Sequence, residues 1–243
     1  MRPLGSASDR RRASCMRWAV LLAALAAALG ASGCKQPTAE EQARALALRL
    51  VGTPAEGGEE ALGEPDWGSH GAVAGLFCYD VARSWRDDGA KVKLLILALE
   101  DADPRARAIA ARALGVIGDT RAINPLTRAF WRSVREEDAL RSETDETPEL
   151  RYRRHFERVS RHQCVWALGL LIYVEETVLP VLVGAARDAD QTVALDGVGV
   201  LYILRSPGAI AALRDIANWQ DPPEGGDAVV RGKARSLMKA LGN

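Results

Sequence analysis

The side chains with the most chemistry to offer are few. Three histidines (His70, His155, His162) and four cysteines (Cys15, Cys34, Cys78, Cys164) are spread along 243 residues. His155 and His162 stand seven positions apart, so they can share a helix face, and Cys164 follows closely. A metal centre needs three or four converging ligands, and no spaced Cys or His set supplies them. The histidines therefore read as exposed or edge residues, and neither a metal nor a cofactor is expected. The sequence carries no HExxH, no GxSxG and no phosphate-cradling glycine-rich loop. Gly197-Val198-Gly199 falls inside a helical pattern and reads as close helix packing. No catalytic residue is assigned, and the chain is read as a non-enzyme.

Cys34 is different, because of what precedes it. Residues 19–29 are an unbroken apolar run, AVLLAALAAAL, behind the basic residues Arg10, Arg11, Arg12 and Arg17. This is the order of a secretory signal. The run is shorter than the about 20 apolar residues that span a bilayer. Ala31-Ser32-Gly33-Cys34 follows directly. The segment resembles the lipobox of bacterial lipoproteins, with Ala31 where that family more often has Leu. The resemblance implies cleavage after Gly33, diacylglycerol on Cys34 and a place in the bacterial cell envelope. Lys35, rather than Asp, after the cysteine implies the outer membrane, facing the periplasm. Met16 opens a tidier signal than Met1 does, so residues 1–15 read as an extended basic region or an alternative start.

The chain holds 32 basic and 32 acidic residues. Residues 1–33 contain five basic side chains and one acidic one, so the remainder carries 27 and 31, a net of −4. Such a balance makes no case for nucleic-acid binding. Thr38-Ala-Glu-Glu41 is a capping-box pattern that predicts a short helix to about Val51, with Ala43, Leu46, Ala47 and Leu50 on one face. Residues 52–71, rich in Gly, Pro and Glu, read as a flexible linker. Residues 34–71 are therefore expected to be a lipidated tether that holds the folded part off the membrane.

From residue 72 the pattern is helical and repeats. ARAIAARALGVIGD (106–119) aligns without a gap over VRGKARSLMKALGN (230–243). SRHQCVWALGLLIY (160–173) and VALDGVGVLYILRS (193–206) fit the same frame. Positions 114, 168, 201 and 238 are equivalent, at spacings of 54, 33 and 37 residues. Periods of this kind indicate stacked helix pairs, each hiding the apolar face of its neighbour. The joints agree: Asp103-Pro104 and Ser206-Pro207 put a cap before a proline at the first helical position, and Gly118 stands where a helix must end. With its stretch at 94–126, the chain resembles the HEAT-like repeats named after phycocyanobilin lyases. The resemblance covers residues 90–243 and implies an all-α fold, an α-solenoid of about four HEAT-like hairpins over 72–243.

The wide first spacing places an insertion at 133–159, an acidic block followed by Arg151, Arg153, Arg154 and Arg158, read as a solvated loop running into a charged helix. A second insertion, 218–227, lengthens the last joint. Cys78 and Cys164 leave open a disulfide or two separate thiols, with Cys164 on a core face. Arg107, Arg161 and Arg231 recur at one repeat position, which points to an architectural role such as bonding to a neighbouring joint. With 106, 110, 113, 114 and 117 as core positions, 105, 108 and 112 should face outward. The expected partner-binding residues are thus Arg105, Arg112, His162 and Trp166, with Arg235 and Lys239 on the last helix; Arg and Trp are enriched at binding hot spots. The partner expected is another envelope protein, with the membrane reached through the lipid. Two alternatives stand beside this adaptor: a bilin lyase-like enzyme, implied by the resemblance alone, and a self-associating structural protein of the envelope.

Overall fold

The computed structural model describes residues 37–50, 79–171, 175–219 and 228–242. The expected signal at 1–33, Cys34, the linker at 52–71 and Cys78 lie outside the described residues. Residues 1–38 separate from a compact unit, Ala39–Asn243, whose fold follows.

Among the described residues this unit is all-helical and has no strand. The first helices are α1 (Ala39–Leu48), α2 (Tyr79–Ser84), α3 (Gly89–Ala98), α4 (Pro104–Ile117) and α5 (Ile123–Arg141). They are followed by α6 (Pro148–Leu170), α7 (Glu175–Ala185), α8 (Gln191–Leu204), α9 (Pro207–Ala217) and α10 (Ala228–Ala240). None of the described helices is long and apolar enough to cross a membrane.

Local chemistry sets the helix ends. Asp103 accepts a hydrogen bond from the Arg105 N–H at 2.9 Å, and Pro104 occupies the first turn of α4. Thr147 with Pro148, and Ser206 with Pro207, open α6 and α9 in the same way. Gly118 closes α4 in the left-handed region at φ 78°, its N–H bonded to the Leu114 carbonyl. Arg205 closes α8 in the same region at φ 51° without being a glycine. A side chain held there costs about 1–2 kcal/mol.

The packing is regular. α4, α6, α8 and α10 lie one on the next, while α5, α7 and α9 form a second row. α5 also packs on α6, α7 on α8, and α9 on α10. α4 and α6 run in the same direction: Arg107 meets Glu157, Arg112 meets Gln163, and Gly115 meets Ala167. α6 and α8 do likewise, with His162 against Asp196 and Gly169 against Val200. Ala110, Cys164, Gly197 and Ala234 are all buried, as their equivalent register positions require. The core holds Leu95 of α3 together with Ile109, Leu114, Leu126, Leu168, Leu182, Leu201 and Leu213 of the two rows, all at no exposure. Each such side chain contributes about 1.5–3 kcal/mol.

Two segments differ from their sequence reading. α1, expected in the tether, packs on α3 and α4 with Ala43, Ala47 and Leu50 buried. Its apolar face finds a surface on the body. The insertion at 133–159 is mostly helix: it prolongs α5 to Arg141 and starts α6 at Pro148, leaving 142–147 between them. Leu140, Leu150, Phe156 and Val159 bury the inner faces of these extensions. Arg154 donates to the Leu140 and Glu143 carbonyls at 2.7 and 3.0 Å, closing the turn.

Candidate functional site

The residues expected on an outward face divide into two groups. Arg112 is not outward: it is buried between α4 and α6, its Nη1 donating to Gln163 Oε1 at 3.0 Å. Its guanidinium stands 4.9 Å from the centre of the Trp166 ring, and burial lowers its pKa. Ala108 is fully buried too. The reason is the small-residue seam of α4. A Cβ added at Gly115 would lie 2.8 Å from the Ala167 backbone, so the helices meet closely enough to cover that sector. Trp166 is half-buried and rests on Gly115, while His162 pairs with Asp196 of α8 through Nδ1. Arg105, in the first turn of α4, is half-buried. Arg235 and Lys239 are exposed on α10, which packs on α8 and α9, and Arg235 Nε donates to the Ala217 carbonyl at 2.8 Å. The structure therefore stacks Arg112 on Trp166 between α4 and α6, pairs His162 with Asp196 of α8 and leaves the other three apart.

The recurring arginines are architectural. Arg107 donates to the Asp101 and Ala102 carbonyls at 2.7 and 3.2 Å and to Glu157 at 2.5 Å. Arg231 donates to the Trp219 carbonyl at 2.9 Å. Arg161 binds Asp188 of the joint after α7, with Nε 2.7 Å from Oδ2. Cys164 is a free, fully buried thiol whose pKa burial pushes up to about 12, which keeps it protonated and unreactive. Among the described residues, no group of three His, Cys, Asp or Glu side chains could hold a metal.

A site the sequence reading missed lies in the other row. A cleft of about 390 Å3 opens between α5 and the end of α7. Trp131 and Val134 line its α5 side, both half-buried. Gly184 lies against the six-membered ring of Trp131, so closely that an added Cβ would collide with it. The floor is Arg161, ion-paired to Glu137 of α5 and to Asp188. At the rim, Arg141 reaches Glu137 at 3.5 Å and Asp138 at 3.8 Å. Arg187 stacks at 5.5 Å over Trp219. Burial pushes the Asp188 carboxyl above its usual range even though Arg161 draws it down, and Glu137 adds to the rise. Arg161 thus bridges Glu137 and Asp188 on the floor, and Arg141 shares Glu137 from the rim.

In the sequence, Glu137 and Asp138 belong to an acidic block that reads as solvated, and Arg161 to a recurring position that reads as architectural. The acidic cluster was visible in the chain, but not its place beside Gly184 and Asp188, which come from a different hairpin. No protein-family model matches the chain, and no curated protein matches it either.

Proposed function

We propose that this protein is a non-catalytic adaptor: an α-solenoid of about four HEAT-like hairpins, anchored by lipid on Cys34 in the bacterial envelope, that holds another envelope protein. The observation that carries the reading is the two-row packing, α4-α6-α8-α10 beside α5-α7-α9, with a cleft between successive first helices. Stacked hairpins of this kind expose clefts and helix faces in series, and such surfaces serve binding. The side chains best suited to covalent or acid–base chemistry are engaged in packing: Cys164 is sealed in the core and His162 bridges α6 to α8.

The test is site-specific photo-cross-linking of the full chain in intact envelopes. A cross-linker at Asp138, on the cleft rim, should trap one protein that a cross-linker at Arg214, exposed on α9, does not. Failure to trap any protein at Asp138, or equal trapping at both positions, removes the adaptor reading. Mass spectrometry of the mature N-terminus reports the anchor separately: an unacylated Cys34 removes that part alone.

A further inference from the structure

We infer that the carboxyl ends of α6 and α8 seat an amphipathic helix of a partner protein, apolar where it meets Leu170 and Ile203 and acidic where it meets Arg205. This surface shares no residue with the α5–α7 cleft, so the inference goes beyond the adaptor reading and does not depend on that cleft.

Three observations carry it. The first is a pair of aliphatic side chains in water: Leu170 and Ile203 are 45% and 56% exposed. They stand 33 residues apart, the spacing of the equivalent positions 168 and 201, so they hold the same place on neighbouring parallel helices. α6 and α8 pack closely there, since a Cβ added at Gly169 would lie 2.7 Å from Val200. Packed helices stand about 8–10 Å apart, and two turns of a helix advance about 11 Å. Apolar residues about seven apart on a helix that crosses the two ends therefore match both side chains. Val116 on one side is half-buried and Ala240 on the other is short, so the apolar part has the length of one repeat step, which fits a helix rather than a bilayer.

The second is a strained arginine. Arg205 caps α8 in the left-handed region at φ 51°, four residues past Leu201. Gly118 and Gly242, four residues past the equivalent positions 114 and 238, take the same region at φ 78°. Glycine enters this region freely and a side chain does not. Arginine at this cap is therefore kept at a cost to the fold. Its exposed guanidinium is held 5.3 Å from the centre of the Tyr202 ring, next to Ile203. Strained residues of this kind gather at binding and active sites.

The third is the balance of charge on the row. From His162 to Leu170, along α8 and along α10 there is one carboxylate, Asp196, and His162 pairs with it. α10 carries Arg231, Lys233, Arg235 and Lys239 and no acidic residue. Arg231 and Arg235 donate to carbonyls at the end of α9, while Lys233 and Lys239 are exposed. The register sets Lys239 level with Tyr202. Arg205 and Lys239 thus give the apolar pair a positive flank. A helix with glutamates along that side is attracted and one with lysines is repelled. Complementarity of this sort discriminates between partners more than it adds affinity.

The experiment follows the isoleucine methyl resonances of the full chain by NMR, with Ile203 identified by its loss in Ile203→Val. The probe is a synthetic helical peptide with leucines about seven apart on one face and glutamates on its flanks. It should shift Ile203 saturably, with a midpoint at or below about 1 mM, the weak end of measurable binding. The same peptide with lysines for glutamates should bind at least about tenfold more weakly. Arg205→Asn puts at the cap a residue that the left-handed region accepts. It should raise the peptide midpoint at least about fivefold while the urea midpoint of unfolding stays the same or rises. Soluble dihexanoylphosphatidylglycerol should leave Ile203 unmoved. No saturable shift, equal binding of the lysine peptide or an unchanged peptide midpoint in Arg205→Asn would each overturn the inference. So would a lower urea midpoint, which would make Arg205 a part of the fold, or a shift caused by the lipid and not the peptide. The two proposals fail separately. A partner trapped at Asp138 while the peptide leaves Ile203 unmoved keeps the adaptor and removes this surface. Binding of the peptide with no partner trapped does the reverse.

Discussion

Arg44 of α1 grips Asp101, in the joint before α4, with Nε and Nη2 within 2.7–3.0 Å of its carboxylate oxygens. Arg161 of α6 holds Asp188, in the joint before α8, in the same manner. Both joints read Asp-Ala-Asp, and in both the first carboxylate also accepts the N–H of the second Asp at 2.8 Å. The clamp that ties α6 to its neighbour also ties α1 to the joint before α4.

Arg44→Ala should loosen that helix. Asp101 would keep its buried carboxylate and lose its charged partner, while Arg44 itself is half-exposed and partly screened. A loss of about 1–2 kcal/mol is expected. Hydrogen exchange should show protection falling across residues 39–50, with α6 to α8 unchanged. Equal loss of protection throughout would mean that α1 is not a separate clamp.

The two joint carboxyls should titrate apart. Burial pushes Asp101 up, but hydrogen bonds from Arg44 and the Asp103 N–H outweigh it, leaving its pKa below 3.8. Its contribution to stability is therefore present above pH 3.8 and is lost as pH falls through the lowered value. Asp188 is raised above 3.8 by burial, so its contribution has the opposite sign and declines as pH rises through the raised value. Carboxyl carbon NMR on the folded chain should place the Asp188 midpoint above that of Asp101; the reverse order would contradict both assignments.

Two glycines of α8 should respond oppositely to alanine. At Gly197 a Cβ would lie 2.7 Å from the Ala186 backbone nitrogen and 2.9 Å from the Leu182 carbonyl oxygen, so Gly197→Ala should cost about 1–3 kcal/mol by overpacking. At Gly199 a Cβ would meet nothing within 4 Å, and Gly199→Ala should stabilise by about 0.5–1 kcal/mol through helix propensity. Urea denaturation of the two variants decides it, and matching shifts would show that α8 does not sit against α7 as described.

Arg107 and Glu157 should behave as a unit. Their side chains are 1% and 2% exposed and meet at 2.5 Å. Arg107→Met alone should cost about 3–5 kcal/mol, because it leaves a buried carboxylate without its charge partner. Adding Glu157→Leu should recover most of that loss, apart from what the freed Asp101 and Ala102 carbonyls cost. A double variant no more stable than the single one would show that the pair is not coupled.

Much of the fold was legible in the chain because its causes are local. Asp103-Pro104, Ser206-Pro207 and Gly118 place helix ends through backbone geometry that each residue carries with it. The repeat of small and apolar residues at 110, 164, 197 and 234 marks buried faces, since a helix repeats its faces every 3.6 residues. The all-α class and the core register follow from those facts alone. What tertiary structure decided is how near the helices come and which distant segments meet. Gly115 and the alanines of α4 allow so close an approach that Ala108 and Arg112, outward on an isolated helix, are covered by α6. The apolar face of α1, equally suited to a free amphipathic helix, finds its place only because Asp101 waits at the end of α3. Trp131, Glu137, Gly184 and Asp188 become one cleft only when two first helices lie side by side, a relation between hairpins that no single hairpin's sequence contains.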